Sequence, residues 1–293
     1  MEKDIPDIKR AETDVVCDRY SQGKWVVASG HAPVERQVTV YVNFRELVTI
    51  LCTPRKVKYL VLGFLYAERI ISSLDDVLMM RVCDTESEVD VRLKNPNFEL
   101  PTKRHLTSGC GGGSTFSMKG SRVESDLVAT PDEIMQLMKK LQGEMDLYQL
   151  SGGVHTSALS DRESLIVVTE DIGRHNTLDK IQGECLATNV QTKDRVILTT
   201  GRVSSEMLLK TARMGTPVVV SRHTPTATAI SLADELGITL VGRANGTRLS
   251  IYSHPERLGR PARSASISSL MDSKDESMSS EVTESGQCNI AQG

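Results

Sequence analysis

The sequence predicts an α/β protein with a three-layer core, preceded by a smaller α+β unit. Strand-like and helix-like segments alternate from residue 154 to residue 253, which favours a sheet covered by helices on both faces. Segments rich in β-branched residues crowd residues 24–53 ahead of this alternation. With 39% hydrophobic and 25% charged residues among 293, the composition is that of a globular protein of one large domain or two packed ones.

The elements of the first unit, residues 12–95, follow from short-range patterns. KWVVAS, VERQVTVYVN and LVTILCT partly alternate between apolar and polar residues, which predicts a meander of strands between Lys24 and Thr53. From Lys58 to Ile71 apolar residues recur with the helical period, so a helix is expected there. Two further short strands, VLMMRV and VDVRL, complete a small α+β unit.

A long loop is predicted at residues 96–122, which lack regular periodicity and contain five glycines. Loops of this length are uncommon in compact domains unless they are functional. Cys110 lies within it, in HLTSGCGGGSTF, where glycine neighbours leave the sulfur unshielded. Four basic residues against one acidic residue in this segment favour the thiolate, the nucleophilic form of cysteine. We predict a reactive thiol at Cys110; the alternative is an inert surface cysteine.

The second unit, residues 123–259, begins with a well-marked helix. Thr130 is a candidate N-cap, Pro131 suits the first helical position, and Glu133 completes a capping box. One apolar stripe then predicts a core-facing side: Ile134, Leu137, Met138, Leu141 and Met145.

The rest of this unit predicts a mainly parallel sheet. Its strand candidates are LIVVTE, RVILTT, PVVVSR, ITLVGR and RLSIYS. Between them, helices are expected at about residues 176–187, 204–213 and 227–236. Ligands of such sheets bind beyond the carboxyl ends of the strands, so the site is expected there.

The last thirty residues, 264–293, hold nine serines, five acidic residues and no aromatic residue. Such a composition buries too little apolar surface to offset the entropy of ordering the chain. We predict a disordered C-terminal tail.

Composition also excludes several classes of function. The net charge of −3 provides no basic excess for general nucleic-acid binding. The N-terminus is charged, and no segment approaches the ~18 uninterrupted apolar residues of a membrane-spanning helix. The six cysteines are dispersed, without a pair at CxxC spacing, so we expect a cytosolic, soluble protein with mostly reduced thiols.

Two polar clusters follow predicted strands in the second unit. VTEDIGRHNTLDK places Asp171, Arg174 and His175 at a strand end, where they could bind an anion or orient a substrate, or act as caps and surface ion pairs. LTTGRVSSEML places Ser204 at a helix start, where free amides attract phosphate; an ordinary cap is the alternative.

A third cluster, VGRANGTRLSIYS, brackets an Ala-Asn-Gly-Thr turn with Arg243 and Arg248. Two arginines at this spacing can grip a phosphate, although a hairpin with solvated rims has the same pattern. The glycines around Cys110 match neither GxxxxGK[ST] nor GxGxxG, which argues against a phosphate-binding loop there. His254 and Glu256 fit half of the zinc deaminase signature, but no PCxxC follows, so we expect no zinc site.

Five motifs together resemble the FdhD/NarQ family, the sulfur carriers that serve formate dehydrogenase. They are TSGCG, GGVHTSAL, EDIGRHNTLDK, TTGRVSSEM and LVGRANGTRLSIYSHPERL, and their order and spacing agree with the family over roughly residues 12–259. VLGFLYAERII is also similar to the GFL-containing helix of the family.

The resemblance implies a fold, a reaction and partners. The fold is a cytidine-deaminase-like α/β core without zinc. The reaction is sulfur transfer: Cys110 accepts sulfur from a cysteine desulfurase as a persulfide and passes it to the molybdenum bis(molybdopterin guanine dinucleotide) cofactor of formate dehydrogenase. The partners are that desulfurase and the formate dehydrogenase apoprotein, with a homodimer as the expected assembly. The resemblance implies that the cofactor-binding segment comprises Arg243, Ala244, Asn245, Gly246, Thr247 and Arg248. Ser204 and His175, in two other family motifs, are the expected anion-binding residues.

The chain departs from the resemblance at two places. Many relatives have CxxC, whereas this chain reads Cys-Gly-Gly-Gly from Cys110, so a persulfide remains feasible but a relay through paired thiols does not. Relatives often begin the cofactor turn with an aromatic residue, and here Arg243 stands first, which weakens the case for stacking at that point. Two rival functions stay open: a cofactor-holding chaperone without sulfur transfer, and a conventional enzyme acting on a nucleotide or base.

Overall fold

A computed structural model describes residues 11–99, 105–106, 114–115 and 120–260. The chain divides into a unit that ends at Gly259 and a second unit, Arg260–Gly293, of which only Arg260 is described. The predicted tail at residues 264–293 and Cys110, the predicted reactive thiol, lie outside the described residues. The assignment of residues 12–95, 96–122 and 123–259 to separate units stays a prediction.

The described chain begins with a long β-hairpin. Strand β1 (Glu12–Ser21) pairs in antiparallel fashion with β2 (Lys24–Pro33), and Gln22 and Gly23 form the turn with φ of 51° and 80°. Positive φ at both turn residues is the geometry that matches the twist of the two strands. The sequence patterns predict β2 but not β1, because β1 is exposed on both faces and so lacks the alternation of a half-buried strand.

A four-stranded sheet follows, in the order β4-β3-β6-β5. Its strands are β3 (Arg36–Val42), β4 (Arg45–Cys52), β5 (Val77–Val82) and β6 (Glu88–Leu93), which confirms the predicted strands. Only β3 and β6 run parallel to each other. Buried valines of β3 and β6 pack against helix α1 (Val57–Ala67), which covers one face of the sheet.

Helix α1 ends four residues before the predicted end at Ile71. Arg69 adopts φ of 59°, and the amide of Ile70 donates back to the carbonyl of Leu65. Ile70 and Ile71 are nevertheless buried in the same core. Their burial explains why the helical apolar pattern continues beyond the helix itself.

A six-stranded central sheet has the order β10-β9-β11-β12-β13-β14. Its strands are β9 (His155–Ser160), β10 (Leu165–Asp171), β11 (Val196–Thr199), β12 (Val218–Ser221), β13 (Thr239–Gly242) and β14 (Ser250–Ile251). Only β11, β12 and β13 are parallel to one another; the remaining pairings are antiparallel. The prediction of a mainly parallel sheet is therefore wrong, because β9 and β10 form a hairpin that the patterns did not reveal.

Helices cover both faces of the central sheet, as predicted. They are α2 (Pro131–Gly143), α3 (Asp146–Ser151), α4 (Arg174–Thr188), α5 (Ser205–Arg213) and α6 (Ala227–Leu236). Residues of α4, α5 and α6 share one core with the sheet, and α2 shares another with the opposite face. These cores establish three layers and confirm the mixed α/β class; the cytidine-deaminase-like name stays a prediction.

Helix α2 begins as the capping box predicts. The amide of Glu133 donates to Thr130 Oγ1 at 3.2 Å, and the amide of Thr130 donates to Glu133 Oε2 at 2.6 Å. The whole predicted stripe is buried, although Met145 lies beyond the helix, in the short link to α3. The apolar stripe is therefore core.

The two sheets are joined by a close crossing of α1 and α4. A Cβ atom on Gly63 would stand 2.9 Å from Asp179 Cα, and one on Gly183 would stand 2.8 Å from the amide nitrogen of Gly63. Real Cβ atoms do not approach backbone that closely. Glycine at both positions is what lets the helices touch backbone to backbone.

Within the predicted loop, two short strands are described. β7 (His105–Leu106) pairs in antiparallel fashion with β8 (Ser114–Thr115). Among the described residues no helix combines the length and apolar character that crossing a membrane requires.

Candidate functional site

The carboxyl ends of the three parallel strands form one continuous edge of the central sheet. Ser221, the last residue of β12, donates its hydroxyl to the carbonyl of Gly201 beyond β11 at 2.7 Å. Beyond β13, the amide of Arg243 donates to the carbonyl of His223, and the amide of Ala244 donates to that of Ser221. These bonds tie the three connections together, so their side chains are presented from a fixed backbone.

The turn at residues 243–248, predicted to bind the cofactor, is organised by one side chain. Asn245 Oδ1 accepts hydrogen bonds from the amides of Thr247 and Arg248 and from the Thr247 hydroxyl, each at 2.9 Å. Ala244 is buried beneath the turn, whereas Arg243 and Arg248 are exposed. The turn therefore lies between strands as predicted, with both guanidinium groups turned to solvent.

This turn packs against helix α2. A Cβ atom on Gly246 would stand 2.6 Å from the side chain of Lys139, so only glycine fits there without displacing it. Between turn and helix lies a small crevice lined by Asn245, Gly246 and Arg222, together with residues of α2. Arg222 also lines a second, larger cavity beside this crevice.

The larger cavity has a volume of about 470 Å³ and opens at the amino end of β9. Its lining consists of Tyr148, Gly152, Gly153, Val154, His155, Thr200, Arg222 and His223. That volume falls within the ~300–1,000 Å³ of small-molecule sites. No carboxylate appears in this lining, so the walls that the structure describes combine neutral and cationic groups.

His155 lies at the centre of the positive charge. Burial lowers its pKa first, and the neighbouring Arg174, His223 and Arg202 lower it further, while Asp171 acts in the opposite direction. A Cβ atom on Gly201 would stand 2.9 Å from Arg174 Cβ and 3.5 Å from His155 Nδ1, which shows how tightly these residues are gathered. The lowered pKa of His155 therefore reflects its burial first and the surrounding cationic side chains second.

His175 and Ser204, two of the predicted anion-binding residues, lie next to each other. Ser204 caps α5 by accepting from the amide of Met207, and His175 Nε2 lies 3.4 Å from Ser204 Oγ and 3.2 Å from Glu206 Oε2. Burial and the nearby cations Lys210 and Arg174 lower the pKa of His175 to about 2. The imidazole is therefore neutral, and its Nε2–H can donate to Glu206. Their role in anion binding stays a prediction.

Asp171 holds the two sheets together. Its Oδ2 lies 2.6 Å from Lys180 Nζ and accepts from the amide of Thr53, the residue after β4, at 3.1 Å. Its Oδ1 accepts from Asn176, whose side chain also donates to the carbonyl of Leu51. Asp171 and Lys180 are both fully buried. The structure thus gives Asp171 an architectural role rather than a ligand-binding one.

The described cysteines differ sharply in reactivity. Burial raises the pKa of Cys52 and of Cys185 to about 12, which leaves both as inert core residues. Hydrogen bonds from Thr85, Ser87 and the Glu88 amide lower the pKa of Cys83 to about 7. Cys17 is exposed on the hairpin. Cys83 is therefore the described thiol that any experiment on Cys110 has to control for.

Two sets of side chains bear on metal binding. His254 Nδ1 lies 2.9 Å from Glu256 Oε1, so the residues that mimic half of a zinc signature pair with each other. Within the described ranges, one cluster has metal-ligand spacing, Glu12 with Asp14 and His31 on the hairpin, and two of its three members are exposed.

Comparison with known proteins decides the family. A sequence profile of the FdhD/NarQ family matches residues 33–259. The chain is also 36% identical over 248 residues to the sulfur carrier protein FdhD of Staphylococcus aureus strain MRSA252, covering 82% of this chain and 94% of the relative. The chain belongs to the FdhD/NarQ family. The resemblance read from the five motifs is confirmed, and proteins of the same name from strains JH9 and Newman match to the same extent.

A solved structure shares the fold of this FdhD/NarQ chain. It is that of a candidate formate dehydrogenase accessory protein from Desulfotalea psychrophila, with a TM-score of 0.73 at 24% identity. The match covers 85% of this chain and 99% of the other. The site residues that the sequence patterns missed are His155, Arg222 and His223. The last two follow a fully buried strand directly, a position that points to the sheet edge in any α/β fold.

Proposed function

We propose that this chain is a sulfur carrier required for formate dehydrogenase activity. It accepts sulfur from a cysteine desulfurase as a persulfide on Cys110 and transfers it to the molybdenum bis(molybdopterin guanine dinucleotide) cofactor before insertion into the apoprotein. Membership of the FdhD/NarQ family and the relatives named sulfur carrier protein FdhD are the observation that carries this proposal. The setting is the cytoplasm, and the activity is that of a sulfurtransferase.

The first chemical step is a thiol exchange. The thiolate of Cys110 attacks the outer sulfur of the donor's persulfide; the sulfur–sulfur bond of the donor breaks, the donor leaves as a thiolate, and Cys110 carries the outer sulfur. Basic residues around Cys110 in the sequence favour the attacking thiolate. Cys52 and Cys185 are excluded from this role by their raised pKa values and their burial.

The carboxyl edge of the central sheet suits the cofactor, which is the acceptor of the sulfur. The cofactor carries anionic phosphates and guanine bases, and the exposed Arg243 and Arg248 on a fixed turn can form charge-assisted hydrogen bonds with phosphate oxygens. Arg222 extends this positive surface toward the cavity beside the turn. No carboxylate in the described lining of that cavity repels such a substrate.

The N-terminal hairpin supports a homodimer. Tyr20 pairs with Trp25 across the strands, and Val16 and Val27 lie on the same face; these four side chains are between 59% and 76% exposed. A two-stranded hairpin alone is marginally stable in water. Burying these side chains removes on the order of 600 Å² per copy, close to the ~800 Å² of a standard interface.

Chromatography with light scattering tests the dimer. The wild-type chain is expected to run as a dimer, and the Trp25→Ser/Val27→Ser double variant as a monomer. Arg19→Ser, on the opposite face of β1, is the matched control and keeps the wild-type mass. A double variant that stays dimeric removes the hairpin from the interface.

The carrier role is tested by intact-protein mass spectrometry after incubation with a cysteine desulfurase and cysteine. A gain of about 32 Da, reversed by a thiol reductant, is expected for the wild type and for Cys83→Ala, and is absent from Cys110→Ala. A gain that persists in Cys110→Ala refutes the assignment. The alternative, a cofactor-binding chaperone without sulfur transfer, predicts no gain in the wild type and full maturation of formate dehydrogenase with Cys110→Ala.

A further inference from the structure

A cleft with two arginines lies between the ends of helices α1 and α5; we call it the arginine cleft. Its volume is about 430 Å³, within the ~300–1,000 Å³ of small-molecule sites. Helix α5 connects the parallel strands β11 and β12, so it runs from the carboxyl edge of the central sheet back to the opposite edge. The arginine cleft therefore lies at the far edge from residues 243–248.

We propose that the arginine cleft binds a small organic carboxylate, with Arg69 and Arg213 holding the carboxylate group and Ile71 and Ala212 contacting the apolar part. The proposal goes beyond sulfur transfer and does not depend on it. The described lining of the cleft contains both guanidinium groups and no carboxyl side chain. Ile71 and Ala212 are buried core residues, so the apolar wall that they form is rigid.

The charge around the two arginines is positive. Burial is the main cause of the lowered pKa of Arg213, and Arg69 is the second, which indicates that the two like charges are close. The carboxylates that act in the opposite direction are Glu68 and Asp179. Asp179 is neutralised by Lys210, whose Nζ lies 2.6 Å from both of its oxygens. Among these groups, two cations therefore outweigh the one remaining carboxylate, Glu68.

Both arginines project from backbone that is fixed by a helix end. Arg69 has φ of 59°, and its amide donates to the carbonyl of Tyr66 at 3.0 Å. Just after Arg213, the amide of Gly215 donates to the carbonyl of Ala212 at 3.0 Å. A fixed backbone reduces the entropy that is lost when the side chains bind an anion.

The remaining side chains favour an organic acid over inorganic phosphate. The Tyr66 hydroxyl donates to the carbonyl of Arg213 at 3.3 Å, and the Ser72 hydroxyl donates to Asp76 Oδ2 at 2.7 Å, so both hydrogens are already engaged. Phosphate is polar on every side and would turn oxygens toward the apolar wall without donors there. A carboxylate on a hydrocarbon chain is polar at one end only, as the cleft is.

Calorimetric titration with hexanoate tests the site. The wild type is expected to bind, and Arg69→Gln should weaken binding about tenfold or more, the usual loss for a charge-assisted hydrogen bond. Arg81→Gln removes another exposed arginine, on β5, and should leave the affinity unchanged. Absence of binding to the wild type, or equal affinities of the wild type and Arg69→Gln, overturns the proposal.

Ser121→Phe tests where hexanoate binds. Ser121 is an exposed residue of the cleft lining, so a phenyl ring there occupies the space without removing a charge. Ser121→Phe should lose hexanoate binding, whereas Ser231→Phe, the matched change on the surface of α6, should bind like the wild type. Unchanged binding to Ser121→Phe refutes the location.

Acetate and sulfate test the class of anion. Hexanoate should bind at least about tenfold more tightly than acetate, because its four additional methylene groups leave water when it binds. Acetate that binds as tightly as hexanoate, or sulfate that displaces hexanoate at equal concentration, indicates a general anion site and overturns the carboxylate assignment.

Discussion

The helix crossing at Gly63 and Gly183 gives the sharpest test of how the two sheets are joined. In Gly63→Ala the new methyl would stand 2.9 Å from Asp179 Cα, whereas carbon atoms in contact prefer ~3.5–4.0 Å. The carbonyl carbon of Asp179 would lie closer still, at 2.5 Å, and its oxygen closer than that, so helices α1 and α4 must separate by more than about 1 Å. Such a gap forfeits about half or more of the dispersion energy across the contact. Overpacking costs ~1–3 kcal/mol and occasionally more; because this clash is with backbone carbonyl atoms we take ~3–5 kcal/mol, of which alanine's better helix propensity offsets ~1 kcal/mol.

We expect a net loss of about 2–4 kcal/mol in the free energy of unfolding, because this contact is between backbones and cannot be relieved by a rotamer change. For a chain of this size that corresponds to a decrease of roughly 5–15 °C in Tm. Differential scanning calorimetry measures it. Gly143→Ala is the control, because a Cβ there meets nothing within 4 Å. A Gly63→Ala protein that melts with the wild type or with Gly143→Ala refutes the close crossing.

Three further predictions concern the cap, the buried ion pair and the pH dependence of the cavity. Thr130→Ala should lower the free energy of unfolding, measured in urea, by ~1 kcal/mol. Thr130→Ser should retain most of the wild-type stability, because serine keeps the hydroxyl that accepts from the Glu133 amide. Lys180→Met leaves Asp171 buried without its cation and should cost ~3–5 kcal/mol in the same assay, whereas Lys58→Met on the surface should stay within ~0.5 kcal/mol. Sulfate, which does not titrate near neutral pH, should bind more tightly as the pH falls from 8 to 6. A bound anion favours the imidazolium of His155, whose pKa is lowered in the empty cavity. His155→Gln should flatten this trend in calorimetry, and a pH-independent wild-type affinity would contradict it.

Local patterns predict the elements that carry a clear apolar face or a continuous apolar run, which include the central strands β11, β12 and β13. Helix α6 spans Ala227–Leu236, where a helix is predicted at about residues 227–236, and α2 begins at its predicted capping box. Strand β9 was missed because His155–Ser160 is buried on both faces and polar in composition: Thr156, Ser157 and Ser160 are all fully buried. Their hydroxyls are satisfied by residues distant in sequence, such as Thr177 and Thr199, and no local pattern reveals that.

Of the candidate site, the sequence predicts the turn at residues 243–248 but not the cavity beside it. The turn at residues 243–248 stood out because arginines bracket a turn-forming Asn-Gly pair, and the structure shows that Asn245 organises it. The cavity could not be read from the sequence, because its walls come from α3, the start of β9 and the residues that follow β11 and β12. These segments meet only because the hairpin β9–β10 places an antiparallel strand beside the parallel ones.

The motif EDIGRHNTLDK shows why a recognisable sequence is not the same as a ligand set. Asp171, Asn176 and Lys180 bind the backbone of residues 51–53 through buried hydrogen bonds, so their chemistry is used to fasten one sheet to the other. A substitution of Asp171 that abolishes maturation would then report loss of the fold, since the Lys180 ammonium stays buried without its counter-ion. Arg222 is exposed and outside this joint, so its loss should leave Tm unchanged while weakening anion binding. Stability and binding measured on both variants therefore separate the architectural carboxylate from the ligand-binding guanidinium.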